Sequence, residues 1–207
     1  NGKTLYRVYQ TAYADGRVNG SYATPYVTSS GDFREALSFA DELKRAIPEV
    51  KWAAAYATGY ELPWGHAETF QIGDKMYKME GSRASEDFFR MLTYNLVAGD
   101  RETALKDINS LAISRKMAEL FFERPEDAIG KSIRYENKSD FVITAVFENL
   151  PAKSSLKFDY LISWETCKVQ RIEFASNYWQ TFILLQDNAD VKKAEMKMNR
   201  WLKTHVV

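Results

Sequence analysis

The sequence predicts an α+β fold in which both ends of the chain build one mixed α/β part and a mostly β part is inserted between them. Three patterns lead there. A strand–helix–strand order fills the first 62 residues, two hairpins occupy the centre, and strands with a capped helix close the chain. The joints are expected near Leu62 and Leu156, so that 1–62 and 156–207 form one part and 63–155 the insert.

The elements follow in order. KTLYRVYQTAY alternates large and polar residues and is rich in Tyr, which suggests a strand; a polar loop is expected from Asp15 to about Gly31. Asp32 is positioned to cap a helix, with Glu35 at capping-box spacing. Phe33, Leu37, Ala40, Leu43 and Ile47 then mark one apolar helical face, which Pro48 ends. VKWAAAYATGYEL reads as the next strand.

In the centre, HAETFQIGDKMYKMEG alternates on both sides of Gly73-Asp74, a turn dipeptide suited to a hairpin. Ser85 is a candidate cap for EDFFRML, and Gly99-Asp100 ends the strand-like TYNLVAG. Ser110 to Ile113 reads as a short strand, followed by a helix over SRKMAELFF with Met117, Leu120 and Phe121 on its buried side. SIRYENKSDFVITAVFENL is a second hairpin, turning at Glu136-Asn137-Lys138-Ser139 and leaving through Pro151. KFDYLISW and WQTFILLQ read as strands, the second apolar enough for a buried sheet position. Asp190 caps a last helix on which Val191, Ala194, Met198, Trp201 and Leu202 keep helical spacing.

Composition narrows the function classes. With 207 residues, 45% apolar and 14% aromatic, the chain has material for a large core and is no disordered tail. Lys+Arg and Asp+Glu stand at 28 each, and the longest basic clusters are pairs such as Lys44-Arg45 and Lys192-Lys193, which argues against nucleic acid as a partner. One cysteine, Cys167, permits neither an internal disulfide nor a multi-cysteine zinc site. No run approaches the roughly 18 to 20 apolar residues of a membrane span. A chain starting at Asn1 and ending on Val206-Val207 reads as an excerpt of a longer protein.

Several groups invite a chemical reading. Ile129-Gly130-Lys131-Ser132 ends like a phosphate-binding loop, but Pro125 stands where that loop needs a glycine, and a strand rather than a helix follows Ser132. His66 and Glu68, with Asp74 nearby, supply too few ligands for a structural zinc, and His205 lies far along the chain; they read as a surface histidine beside a glutamate. Cys167, after Trp-Glu-Thr, lacks oxyanion-hole glycines and reads as a half-buried filler at a strand end. Glu86-Asp87 and Glu126-Asp127 are adjacent pairs that point apart, suited to helix starts rather than to acid–base work. Trp52, Trp64, Phe88, Phe89, Trp164, Tyr178 and Trp179 are mostly core candidates. Tyr60 and Trp64, in Gly- and Pro-containing surroundings, are the candidate partner surface. No catalytic residue, cofactor or metal is expected.

The order of segments carries a resemblance. REALSFADELKRAIPEVKWAA resembles the "helix, Pro-Glu-Val, strand" opening of MacB-like periplasmic core domains in FtsX-like ABC transporter permeases. DFFRMLTYNLVAGDRETALKDINSLAISRKMAELFF and AIGKSIRYENKSDFVITAVFENLPAKSSLKFDYLIS are similar to that family's central blocks, and LYRVYQ to the segment after its first membrane helix. The blocks occur in family order over essentially the whole chain, closest in flavour to Bacteroidetes-type permeases.

The resemblance implies a porter-like α/β subdomain from both ends and an inserted, mostly β, sabre-like one. It implies a domain on the periplasmic face of the bacterial inner membrane, anchored by flanking helices outside this chain, that is not an enzyme. Its implied partners are a cytoplasmic ABC ATPase subunit, a second permease copy, and a periplasmic partner protein or cargo. Efflux, lipoprotein release, cell-wall-hydrolase control and sensing all remain open. A free-standing periplasmic binding or adaptor protein is the rival reading, and a hydrolase using His66 or Cys167 is a third.

Overall fold

The computed structural model describes residues 5–8, 10–14, 17–22, 26–27, 37–57, 67–170 and 179–205. Its elements are β1 (Leu5–Val8), β2 (Gln10–Ala14), β3 (Arg17–Tyr22), β4 (Tyr26–Val27), β5 (Leu37–Ser38), α1 (Phe39–Ala46), β6 (Val50–Ala57), β7 (Ala67–Ile72), β8 (Lys75–Ala84), α2 (Phe88–Met91), β9 (Leu96–Gly99), β10 (Ser110–Ser114), α3 (Arg115–Phe121), β11 (Ser132–Tyr135), β12 (Ser139–Phe147), β13 (Tyr160–Ser163), α4 (Glu165–Gln170), β14 (Trp179–Leu185) and α5 (Val191–His205). Helices and sheet-dominated cores together make the fold α+β.

The chain divides into two compact units, one formed by Asn1–Tyr56 with Cys167–Val207 and the other by Ala57–Thr166. The sequence reading set the second joint at Leu156. The strand that follows, β13, pairs with β8 and β10, so 157–166 lie with the middle unit.

In the unit built from both ends, β14 lies between β1 and β6, with Leu5 opposite Leu184 and Val8 opposite Thr181. Arg17–Tyr22, expected as polar loop, is a strand because it pairs antiparallel with β2. The first helix also begins later than expected. Leu37–Ser38 pair with β4, and Ser38, not Asp32, is the cap. Its hydroxyl accepts from the Asp41 amide at 3.1 Å while the Asp41 carboxylate accepts from the Ser38 amide at 3.1 Å, a reciprocal capping box with Asp in place of Glu. Asp32 itself lies outside the described residues. Phe39, Ala40, Leu43 and Ile47 are buried, and the Phe39 ring meets Trp201 of α5 at 5.9 Å. Asp190 caps α5 as its spacing predicts, accepting from the Lys193 amide at 3.1 Å. Lys197 of α5 reaches Glu49 at 2.6 Å, and this pairing holds the Glu49 carboxyl below its ordinary range.

The middle unit closes a barrel. β8 pairs in turn with β13, β13 with β10, β10 with β12, β12 with β11 and β11 with β7, and β7 returns to β8. Closure leaves none of these six strands at an open edge. The Gly73-Asp74 turn joins β7 to β8 with Gly73 at φ +56°. Glu136 and Asn137, both with positive φ, turn β11 into β12. Phe70, Met79, Leu111, Ile113, Ile133, Phe141, Ile143 and Ile162 fill the interior, and α3, capped by Ser114, closes over them with Met117, Ala118 and Phe121. Beside the barrel, β9 adds to β12, and Phe88, Phe89, Tyr94, Phe147 and Phe158 form an aromatic cluster. Ser85 does not cap α2. The helix starts at Phe88, and Glu86 and Asp87 both pair with Arg90 instead.

Candidate functional site

Tyr60, Trp64 and His66 lie outside the described residues, as does Tyr178. The other chemistry candidates can be placed. Gly130 sits at φ +77°, and its amide donates to the Ile143 carbonyl at 2.8 Å. Ser132 then enters β11, so Gly130-Lys131-Ser132 leads into a hairpin. Cys167 is not a half-buried strand-end filler. It lies in α4 and is buried, because the chain after β13 turns directly into a helix through Ser163, whose carbonyl accepts from the Thr166 hydroxyl at 2.8 Å. Glu126 and Asp127 open a short 3-10 turn over Pro125–Ala128, where Arg124 pairs with Asp127. No group of three or more His, Cys, Asp or Glu suited to a metal occurs among the described residues.

Glu68 is the residue whose surroundings differ most from the sequence reading. Alternation along β7 turns it, with Phe70, into the barrel. There it accepts from the hydroxyls of Tyr135 on β11 and Tyr160 on β13, and Arg83 on β8 stands 3.8 Å away and donates to the Tyr135 hydroxyl at 3.2 Å. Arg83 is only 4% exposed, so its charge is compensated inside the barrel rather than by water. Burial pushes both phenols above their ordinary range. Nearby Glu68 adds to the effect, against the pull of Arg83. This cluster fastens three strands through a fourth. Its signal in the sequence was slight: a glutamate and an arginine at inward positions of otherwise apolar alternation.

A cleft opens on the same unit where β12 leaves through Leu150-Pro151. It encloses about 240 Å³ among Glu80, Lys116, Asn149, Leu150, Lys157, Phe158 and Asp159. The Asn149 side chain accepts from the Lys116 amide at 2.8 Å, fixing the exit of β12 against the start of α3. Lys116 reaches Asp159 at 3.2 Å, and Lys157 donates to the Ala152 carbonyl. Charges of both signs therefore ring a small apolar floor. Such a mixture suits contact with a polypeptide better than the concentration of one ionic ligand.

The family model described as "MacB-like periplasmic core domain" matches residues 2–201. No curated protein sequence matches the chain. Among solved structures, it is similar to a domain of a Porphyromonas gingivalis protein assigned as a permease (22% identity, 89% of this chain and 79% of that one, TM-score 0.66). It is also similar to the periplasmic region of MacB from Actinobacillus actinomycetemcomitans (14% identity, 97% and 82%, TM-score 0.60). A third likeness is to the extracellular domain of the ABC-type transporter YknZ from Gram-positive bacteria (15% identity, 97% and 94%, TM-score 0.59).

Proposed function

Because the chain belongs to the MacB-like periplasmic core domain family, we propose that it couples movement of a permease's membrane helices to a cargo or partner protein on the periplasmic face of the inner membrane. The observation that carries this reading is the extent of the family match, residues 2–201, which takes in both units. The pairing of β1 with β14 supports it, since Leu5 lies opposite Leu184 and the two chain-end segments share one unit. A domain strung between two membrane helices needs that arrangement. We read the unit built from both ends as the porter-like part and the middle barrel as the sabre-like part. ATP hydrolysis then belongs to a separate cytoplasmic subunit, and a second permease copy completes the assembly. The cleft at the exit of β12, with its mixed charges, is a candidate contact for the periplasmic partner, alongside Tyr60 and Trp64.

No helix among the described residues is long and apolar enough to cross a membrane, so the anchoring is tested in the parent gene. Apolar runs of about 20 residues on both sides of the domain are expected. A cleavable leader before it and a stop after it would favour the adaptor reading. The coupling is tested in proteoliposomes holding the full permease and its ATPase. Replacing residues 58–165 by a short linker should leave basal ATP hydrolysis and abolish transport. Undiminished transport would sink the proposal.

A further inference from the structure

Helix α5 gathers basic residues that look scattered in the sequence. Lys192, Met196, Asn199 and Lys203 follow at steps of four, three and four along Val191–His205, so they share one stripe, and Lys193 and Arg200 flank it. All are exposed, Met196 to 66%, while Ala194 and Trp201 are buried. Glu195 is the helix's one acidic residue, and Lys197 is taken up by Glu49. Elsewhere four exposed or half-buried arginines are matched: Arg45 by Glu42, Arg115 by Glu148, Arg124 by Asp127 and Arg134 by Asp140. Lys192, Arg200 and Lys203 have no ion-pair partner among the described residues, and Lys193 acts on Glu49 only through its field, Lys197 being the residue in contact. In a chain with 28 basic and 28 acidic residues, four cations beside the helix's one glutamate form a local positive field on that face.

We propose that this face of α5 rests on an anionic membrane surface. The inference builds on the permease reading, which puts lipid headgroups within reach of the domain. Charge complementarity selects an anionic surface, and the long basic stems around a protruding methionine suit an interface where ammonium and guanidinium groups meet phosphate while the thioether enters the headgroup layer. The stripe runs for about 17 Å at a rise of roughly 1.5 Å per residue, long enough to touch more than one headgroup at once.

The test is flotation of the 207-residue chain with vesicles at low salt. Vesicles with phosphatidylglycerol in phosphatidylcholine should bind it, phosphatidylcholine alone should not, and raised salt should release it. Binding should fall roughly fivefold for each basic residue removed among K192Q, K193Q, R200Q and K203Q. A control with K78Q, K106Q, K131Q and K138Q changes net charge equally on the other unit and should bind as the parent does. Circular dichroism should show both quadruple variants folded, as expected for exposed positions. Equal loss in both variants, equal binding to both vesicle types, or no binding would overturn the proposal; an acidic protein would then be the remaining class of occupant. None of these results bears on the permease reading, which rests on the parent gene and on transport.

Discussion

Tyr160, on β13, donates its hydroxyl to Glu68, on β7, across the interior of the middle barrel, 92 residues away in sequence. The same carboxylate faces Arg83, so one glutamate compensates a buried cation and accepts from two phenols. Removing it takes away the carboxylate that faces the buried guanidinium at 3.8 Å. E68A should therefore destabilise the unit by about 3 kcal/mol or more, the range for breaking a buried pair from one side. Y160F removes one donor and should cost only about 1–2 kcal/mol. Urea unfolding would order the two, and an E68A loss no larger than that of Y160F would show that Arg83 does not depend on the carboxylate.

Two glycines set the close approaches that this barrel needs, and a third does not. A Cβ on Gly81 would run into the ring of Tyr160, and one on Gly99, at φ +88°, would press on the Thr144 carbonyl and come within 2.7 Å of Ala145 Cα. Gly73 has positive φ but open space around it. G81A and G99A should thus lose about 2–3 kcal/mol or more through overpacking, and G73A only about 1 kcal/mol through its backbone. Thermal melts of the three variants would check the ranking.

Much of this was legible locally. Gly73-Asp74 announced its hairpin, Asp190 its helix, and the strand after Gly130-Lys131-Ser132 removed the phosphate reading, because each depends on neighbours in sequence. What escaped was non-local or one-sided. Barrel closure depends on β7 meeting both β8 and β11, which alternation in β7 cannot express. Glu68 looked like a surface residue beside His66 because its three partners come from three other strands. The start of α1 lies later than its apolar period suggests, because that period runs back to Phe33 while the capping box is made by Ser38 with Asp41 rather than a glutamate. The basic face of α5 was hidden by counting adjacent charges when the helix brings together those three and four apart.

The buried phenols give a pH dependence with a definite sign. Tyr135 and Tyr160 are held above the ordinary tyrosine value of 10.0, so the fold favours their neutral form. Their contribution to stability is complete below about pH 10 and is lost as pH rises from there through the raised values. In an absorbance titration at alkaline pH, both should stay protonated while exposed tyrosines ionise, then titrate with unfolding. Titration of every tyrosine in one step near 10 would contradict the burial.

The cap of α1 offers a test in the other unit. Ser38 accepts from the Asp41 amide and its hydroxyl donates to the Asp41 carboxylate at 2.7 Å, so S38A removes both side-chain contacts and leaves only the bond from the residue-38 amide to that carboxylate. A loss of about 1 kcal/mol is expected, and S38D should not recover it, because a second carboxylate would face Asp41 where the buried hydroxyl now donates. An S38A variant as stable as the parent in denaturant would place the helix start elsewhere, with Asp32 the next candidate.

Whether the middle unit is an insert in the physical sense can be settled by excising it. Its six strands pair in a ring, its interior is filled from its own elements, and Glu68, Arg83, Tyr135 and Tyr160 all lie within residues 57–166. A fragment of those residues should unfold in one cooperative urea transition. E68A should then lower its stability by the same amount as in the full chain, since every partner of the carboxylate is retained. A fragment with no cooperative transition would mean that the ring does not stand alone, and the porter-and-insert description would have to give way to a single folding unit.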